Sequence, residues 1–294
     1  AATTALLFAA SLFIASACPA WAGRLVTDSA GRRVEIPDRV SRVIAAGPPA
    51  SVLMVMLAPE KLLGWNRLPS PDEVRFLPAP VRKLPEIGRL TGRGGTANIE
   101  TILAAKPDII VDFGSVNDTY VSLANRTQEQ TGVPYILIDG RFANTARALR
   151  LMGDILGVPE IIERAGGINV VESDTERGGL RTASLEQILA WNPGIIVTLD
   201  KAFAAAAPTA PGWRDVDAVR NDRLFVSPAL PYGWIDAPPS LNRLIGTRWL
   251  ARKFFPSQFS DDLNTITREF YRLFYQVQLD DTDLPRLLGT AGSK

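Results

Sequence analysis

The sequence predicts an α/β protein built as two comparable lobes joined by a long helix. Three observations predict it: a repeated helix-proline-strand unit, an alternation of helical and buried-strand patterns, and a length of 294 residues, at which a single hydrophobic core has usually begun to split. The repeat is the strongest of the three. Asn98-Ile99-Glu100-Thr101-Ile102-Leu103-Ala104-Ala105-Lys106-Pro107-Asp108-Ile109-Ile110-Val111 returns without a gap as Ser184-Leu185-Glu186-Gln187-Ile188-Leu189-Ala190-Trp191-Asn192-Pro193-Gly194-Ile195-Ile196-Val197, identical at eight of fourteen positions. In each copy Asn98 or Ser184 offers an oxygen to the unpaired amides of a helix start. Pro107 or Pro193 then disfavours helix in the residue before it, and the β-branched run that follows suits a buried strand.

In chain order, residues 1–22 read as a signal peptide. The uncharged apolar run 5–17 is too short to span a bilayer, and Ala20-Trp21-Ala22 before Gly23 has the small-x-small pattern of a cleavage site. The expected location is the periplasm; lipid anchoring through Cys18 is the weaker alternative, because Pro19 follows it. Residues 23–141 form the N-terminal lobe, with strands at 42–46, 62–65 and 134–138 and a helix at 52–57 around the first repeat. Residues 142–160 form the linker helix, since Ala148, Leu149, Met152, Ile155 and Leu156 recur at helical spacing. Residues 161–294 form the C-terminal lobe, with strands at 168–171, 195–199 and 224–226, a helix beginning near Leu241 after Pro238-Pro239-Ser240, and another from Leu263. Both lobes are then Rossmann-like, parallel strands joined by helical crossovers. A parallel sheet of such units calls for a buried strand before Ile168 and none is legible, so the second lobe reads as missing its first strand.

Composition narrows the function. Thirty-two Lys and Arg against 31 Asp and Glu leave a formal charge of +1, which gives no electrostatic reason to expect nucleic acid or an anionic membrane as partner. The chain has no His and one Cys, which removes the commonest general base and transition-metal ligand and rules out a Ser-His-Asp hydrolase. An enzyme on this scaffold would have to rely on carboxylates such as Asp112, Asp139 and Asp200, and no spaced acidic pair is evident. The expectation is a monomer without a catalytic site, resident metal or cofactor.

Thr27-Asp28-Ser29-Ala30-Gly31-Arg32-Arg33-Val34 leading to Pro37, Arg42-Val43-Ile44, Lys106-Pro107-Asp108-Ile109-Ile110-Val111, Gly166-Gly167-Ile168-Asn169-Val170 and Pro238-Pro239-Ser240-Leu241-Asn242-Arg243-Leu244 follow one another in this order. Together they resemble the class III periplasmic binding proteins of ABC transporters, the group that includes vitamin B12, ferric siderophore and haem binders. The resemblance spans most of the chain, and the stretch 233–250 looks most like the iron-complex branch. It implies a solute-binding protein that captures an iron-siderophore or related metal chelate and hands it to a dimeric permease in the inner membrane. It also implies one docking carboxylate per lobe, at Glu100 and Glu186; either alone could equally serve as a favourable first-turn charge on its helix. The family pattern continues the linker helix and adds a strand and loop before Gly166. Here, by that resemblance, a segment on the order of fifty residues is absent after Glu160, as the missing crossover strand also suggests. A transport-incompetent remnant or a sensor of the same fold is the alternative function.

A ligand between the lobes would meet loops at the carboxyl ends of the strands. That rule nominates Pro48, Trp65, Arg89, Arg93 and Arg141 in the first lobe and Tyr232 and Trp234 in the second. The arginines would supply fixed donors to carboxylate, catecholate or oxyanion groups, and the aromatic rings would pack a flat chelate. Ferric siderophore leads, with haem, cobalamin and molybdate behind. Haem could be held only through a tyrosine such as Tyr120 or Tyr232.

Overall fold

The structure, a computed structural model, describes residues 23–92, 97–156, 183–235 and 237–289. The expected signal peptide, the expected end of the linker at 157–160, the strand expected at 168–171 and Arg93 lie outside the described residues.

An antiparallel hairpin, β1 (Gly23–Thr27) with β2 (Arg33–Pro37), comes first and was not expected from the sequence. Its turn is organised by the buried Asp28 carboxylate, which accepts bonds from the amides of Ala30 and Arg32 and from the Arg32 guanidinium. The same carboxylate accepts from the Leu137 amide at 3.2 Å and so ties the hairpin to the main sheet.

That sheet is parallel, in the order β3 (Val43–Ala45), β4 (Ile109–Gly114), β5 (Tyr135–Asp139). The strand expected at 62–65 is reduced to two isolated bridges, Val43 with Leu62 and Trp65 with Glu86. The Trp65 amide donates to the Pro85 carbonyl and the Ile87 amide returns a bond to the Trp65 carbonyl, both at 2.8 Å, but Pro85 has no N–H with which to extend the ladder.

Around the sheet lie α1 (Pro48–Leu57), the short α2 (Pro71–Val74), α3 (Ile99–Ala105), α4 (Asp118–Thr131) and α5 (Thr145–Leu156). In α1, residues 50–56 are all buried, because the helix touches β4 on one side and the C-terminal segment 271–275 on the other; a helix covered all round is apolar all round. Helix α5 buries the five residues whose spacing predicted it. Its last carbonyls are taken by Arg24, which bonds Asp154 O and Ile155 O, and by Lys61 Nζ, 2.6 Å from Leu156 O. Cations there also complement the negative helix end, so α5 is fastened to β1 and to the turn after α1.

The second repeat gives α6 (Leu185–Trp191) and β6 (Ile196–Thr198), followed by α7 (Lys201–Ala206), α8 (Asp217–Arg220) and β7 (Leu224–Val226), which pairs with β6 in parallel. Ile196 and Leu224 lie in a small core with Phe203, Trp213, Val216 and Val219, while Val197 and Phe225 pack against the large core. This is the two-sided alternation expected of strands.

The chain then returns. Helices α9 (Arg243–Phe254) and α10 (Leu263–Phe270), a π turn Tyr271–Tyr275 and α11 (Asp283–Leu288) place Trp249, Phe270, Tyr271, Tyr275 and Leu287 in one core with Val43, Met54 and Val111. Arg75 clamps Asp283 through two bonds of 2.9 and 2.8 Å, and Arg286 reaches Asp72 at 2.6 Å. Of the span 161–294 expected to form one lobe, only 185–226 builds a separate core among the described residues; Trp234, Trp249, Phe270, Tyr271, Phe274 and Tyr275 after it join the core that holds β3 and β4. Among the described residues no helix is long and apolar enough to cross a membrane.

Candidate functional site

A cavity of about 390 Å³ lies where the carboxyl end of β3 meets the loop 229–238. The first wall follows from the turn after β3. Ala46 O accepts from the amides of Leu90 and Thr91 at 2.7 and 3.0 Å, laying the 88–92 loop across Gly47. A Cβ on Gly47 would stand 2.4 Å from Thr91 Oγ1, so the close approach requires glycine. Pro48 follows in the first turn of α1, where its missing N–H costs nothing. Below the loop, Thr91 Oγ1 and Tyr135 Oη donate to the two oxygens of the buried Asp112 at 3.3 and 3.1 Å. Burial pushes the Asp112 carboxyl up to about 6, against the lowering effect of those two hydroxyls.

Asn66 is the polar hub of this wall. It is buried, its Nδ2 donates to Ala45 O at 2.9 Å and Gly88 O at 3.0 Å, and its Oδ1 accepts from the Ser51 hydroxyl. One side chain thus ties β3, α1 and the 88–92 loop together. Trp65 is buried beside it, its Nε1 held by Val81 O at 3.0 Å. On the rim, Arg67 forks onto Glu73 with bonds of 2.9 and 2.5 Å, and a reciprocal cap between Ser70 and Glu73 fixes the carboxylate at the start of α2. Burial alone would raise Glu73, but the Arg67 hydrogen bond and the Ser70 amide outweigh it and hold the carboxyl below its usual range.

The opposite wall is Ala229, Pro231, Tyr232, Ala237 and Pro238. Asn242 Nδ2 donates to the carbonyls of Tyr232 and Gly233 at 3.2 and 3.3 Å, and Tyr275 Oη in turn donates to Asn242 Oδ1 at 2.9 Å. The Tyr232 ring stacks on Tyr275, centroids 6.5 Å apart and 27° between planes. The Tyr232 hydroxyl is buried and has no hydrogen-bond partner among the described residues. In charge the lining is balanced, Arg67 and Arg89 against Glu73 and Glu86.

No protein-family profile matches the chain. The molybdate-binding protein MolA of Haemophilus influenzae is 24% identical over 346 residues, covering 92% of this chain and 96% of MolA. An ABC transporter solute-binding protein of Sulfurospirillum deleyianum superposes with a TM-score of 0.75 at 22% identity, over 90% of this chain and 99% of that one. A periplasmic solute-binding protein of Veillonella parvula does so with a TM-score of 0.71 at 18% identity, over 92% and 98%. The fold is that of the class III periplasmic solute-binding proteins of ABC transporters. These relatives are solute-binding proteins rather than enzymes. Because 92% of a 294-residue chain, about 270 residues, enters an alignment of 346 positions, about 75 positions of the MolA alignment face no residue here.

On this solute-binding fold, four of the nominated residues, Pro48, Trp65, Arg89 and Tyr232, come together on the cavity. Trp234 does not. It is wholly buried, its Nε1 is 3.3 Å from the Tyr271 hydroxyl, and α9 approaches so closely that a Cβ on Gly246 would fall 2.1 Å from Trp234 O; its ring is drawn into the core because it is the largest apolar group of its loop. Arg141 is also off the lining: its exposed side chain folds back on Asp139, with its Nη2 2.7 Å from a carboxylate oxygen. Tyr120, in the first turn of α4, is half-buried against the core rather than on the cavity. Glu100 and Glu186 are exposed in the first turns of α3 and α6. Asn66 and Arg67 belong to the same turn as Trp65, which the strand-end rule nominates, and they line the cavity with it. Sequence reading missed Ser51 and Glu73; Glu73 had a visible signal, the Ser70-x-x-Glu73 capping pattern, whereas Ser51 depends on loops meeting in space.

Proposed function

We propose that this chain is the periplasmic substrate-binding component of an ABC importer, capturing a ferric siderophore or related metal chelate and delivering it to a permease dimer. The observation that carries the reading is the cavity: it sits at the carboxyl end of a parallel strand, is built on buried scaffolding, and combines apolar walls with a few oriented polar groups. Its volume lies at the lower end of the range for organic-ligand sites, which supports a compact chelate. MolA, as a molybdate binder, makes a metal oxyanion the neighbouring possibility.

The organisation we propose is a signal peptide (1–22), a first lobe (23–141), a linker helix (142–160) and a second lobe that lacks its first strand, working as a monomer. The exposure of Glu100 and Glu186 at matching places in the two repeats supports a symmetric pair of contacts with a dimeric permease. Reversing both charges, Glu100→Arg with Glu186→Arg, is expected to abolish binding to the permease while leaving ligand affinity within twofold. Intact permease binding by the double variant would overturn the docking assignment. The positions of the MolA alignment that face no residue here support a second reading, a transport-incompetent sensor; a chain that binds ligand yet leaves permease ATPase activity unstimulated would favour it.

A further inference from the structure

We propose that the Tyr232 hydroxyl is a ligand-recognition group, the donor to an oxygen of an oxyanion or of a chelate whose metal is already saturated by its own ligands. The inference rests on the binding-protein reading above and specifies the chemistry of its cargo.

A buried polar atom without a partner is rare in folded proteins, because the water it gave up is not replaced. Here the orphan is the hydroxyl of a residue that lines the cavity, buried within electrostatic reach of the lining pair Arg67 and Glu73. Its position is fixed in advance: Asn242 holds the Tyr232 carbonyl, Tyr275 holds Asn242, and the two tyrosine rings stack. A donor immobilised before binding loses little freedom when its acceptor arrives.

The surroundings select the acceptor. Burial, and after it the Glu73 carboxylate, pushes the Tyr232 phenol well above its usual value, with Arg67 acting the other way. In the free protein the group therefore stays a neutral donor at any physiological pH. Glu73 is already engaged by both Arg67 bonds and the Ser70 cap, which leaves Glu86 as the remaining lining carboxylate. With Arg67 and Glu73 paired off, a bare cation would find one carboxylate, Glu86, beside one guanidinium, Arg89. An oxygen-rich, coordinatively complete ligand needs no such carboxylate and would find the Tyr232 donor together with the positive charge of Arg89.

The test compares the parent with Tyr232→Phe in two measurements: thermal unfolding without ligand, and titration with sodium molybdate, a hexadentate ferric trihydroxamate and free Ni²⁺. The parent is expected to bind one of the two oxygen-rich probes and not free nickel. Which of the two it binds decides between oxyanion and chelate. Tyr232→Phe is expected to weaken that probe by roughly ten- to a hundredfold, as for a hydrogen bond to a charged acceptor, and to melt at or above the parent temperature, since it removes an unpaired group. The inference is overturned if neither oxygen-rich probe binds, if free nickel binds, if the variant keeps parental affinity, or if it melts lower than the parent. The importer reading fails separately, through the permease-docking experiment, in which Tyr232 takes no part.

Discussion

In the first copy of the repeat, Asn98 caps α3, Lys106 takes the left-handed conformation at φ 46°, and β4 enters a sheet with β3 on one side and β5 on the other. In the second, Ser184 caps α6, Asn192 takes the same conformation at φ 40°, and β6 pairs with β7 alone among the described residues. The local unit is the same; its surroundings are not. Residues 109–113 of β4 are all buried, whereas 196–198 of β6 are all half-buried. Asp108 accepts from the Ser41 and Arg42 amides at 2.7 and 2.8 Å and thereby staples the first copy to its neighbouring strand; Gly194, at the matching position, has no side chain to do so. Trp191, matching Ala105, is 67% exposed. The comparison teaches that caps and prolines specify the helix-turn-strand unit, while its contribution to stability comes from the elements that cover it.

Matched substitutions give the largest test. Ile110→Ala in β4 is expected to cost about 3–4 kcal/mol, and Ile196→Ala, at the same place in β6, about 1–2 kcal/mol, because only the first leaves a fully enclosed cavity. Denaturant unfolding of both variants measures the pair, and equal losses would break the comparison. A smaller effect sharpens it on the first lobe alone. The Asp112 carboxyl sits near 6 in the folded chain against about 4 unfolded. Its contribution to stability is therefore greatest below about pH 4 and is lost as pH rises through about 6, a change of up to about 3 kcal/mol. Glu73, held low by Arg67 and Ser70, acts in the opposite sense. The clean readout is accordingly the difference between parent and Asp112→Asn across pH 4–8: the variant should gain on the parent as pH rises, and parallel curves would contradict the assignment.

Much of the fold was legible, and for reasons visible in particular residues. The spacing of Ala148, Leu149, Met152, Ile155 and Leu156 is a local property of one helix, and α5 buries those five. Strand β7 has the bounds expected for it, and β6 lies within its expected span. The hairpin β1–β2 was not legible, since its register depends on Asp28 reaching Leu137, 109 residues away. The membership of Trp249, Tyr271 and Tyr275 in the large core was hidden for the same reason, because nothing in their own neighbourhood says which apolar surface will cover them. At the candidate site, the rule that ligands meet strand carboxyl ends brought Pro48, Trp65, Arg89 and Tyr232 to one cavity. It could not separate Tyr232, which lines that cavity, from Trp234 two residues on, whose ring turns into the core.

The central claim is that the cargo sits between the β3 end of the first lobe and the 229–238 loop. Hydrogen–deuterium exchange of the chain with and without molybdate and a ferric trihydroxamate tests it most directly. Ligand-dependent protection should concentrate in 47–51, 65–73, 88–91 and 229–238. Protection confined to other surfaces, or none with either probe, would contradict the account.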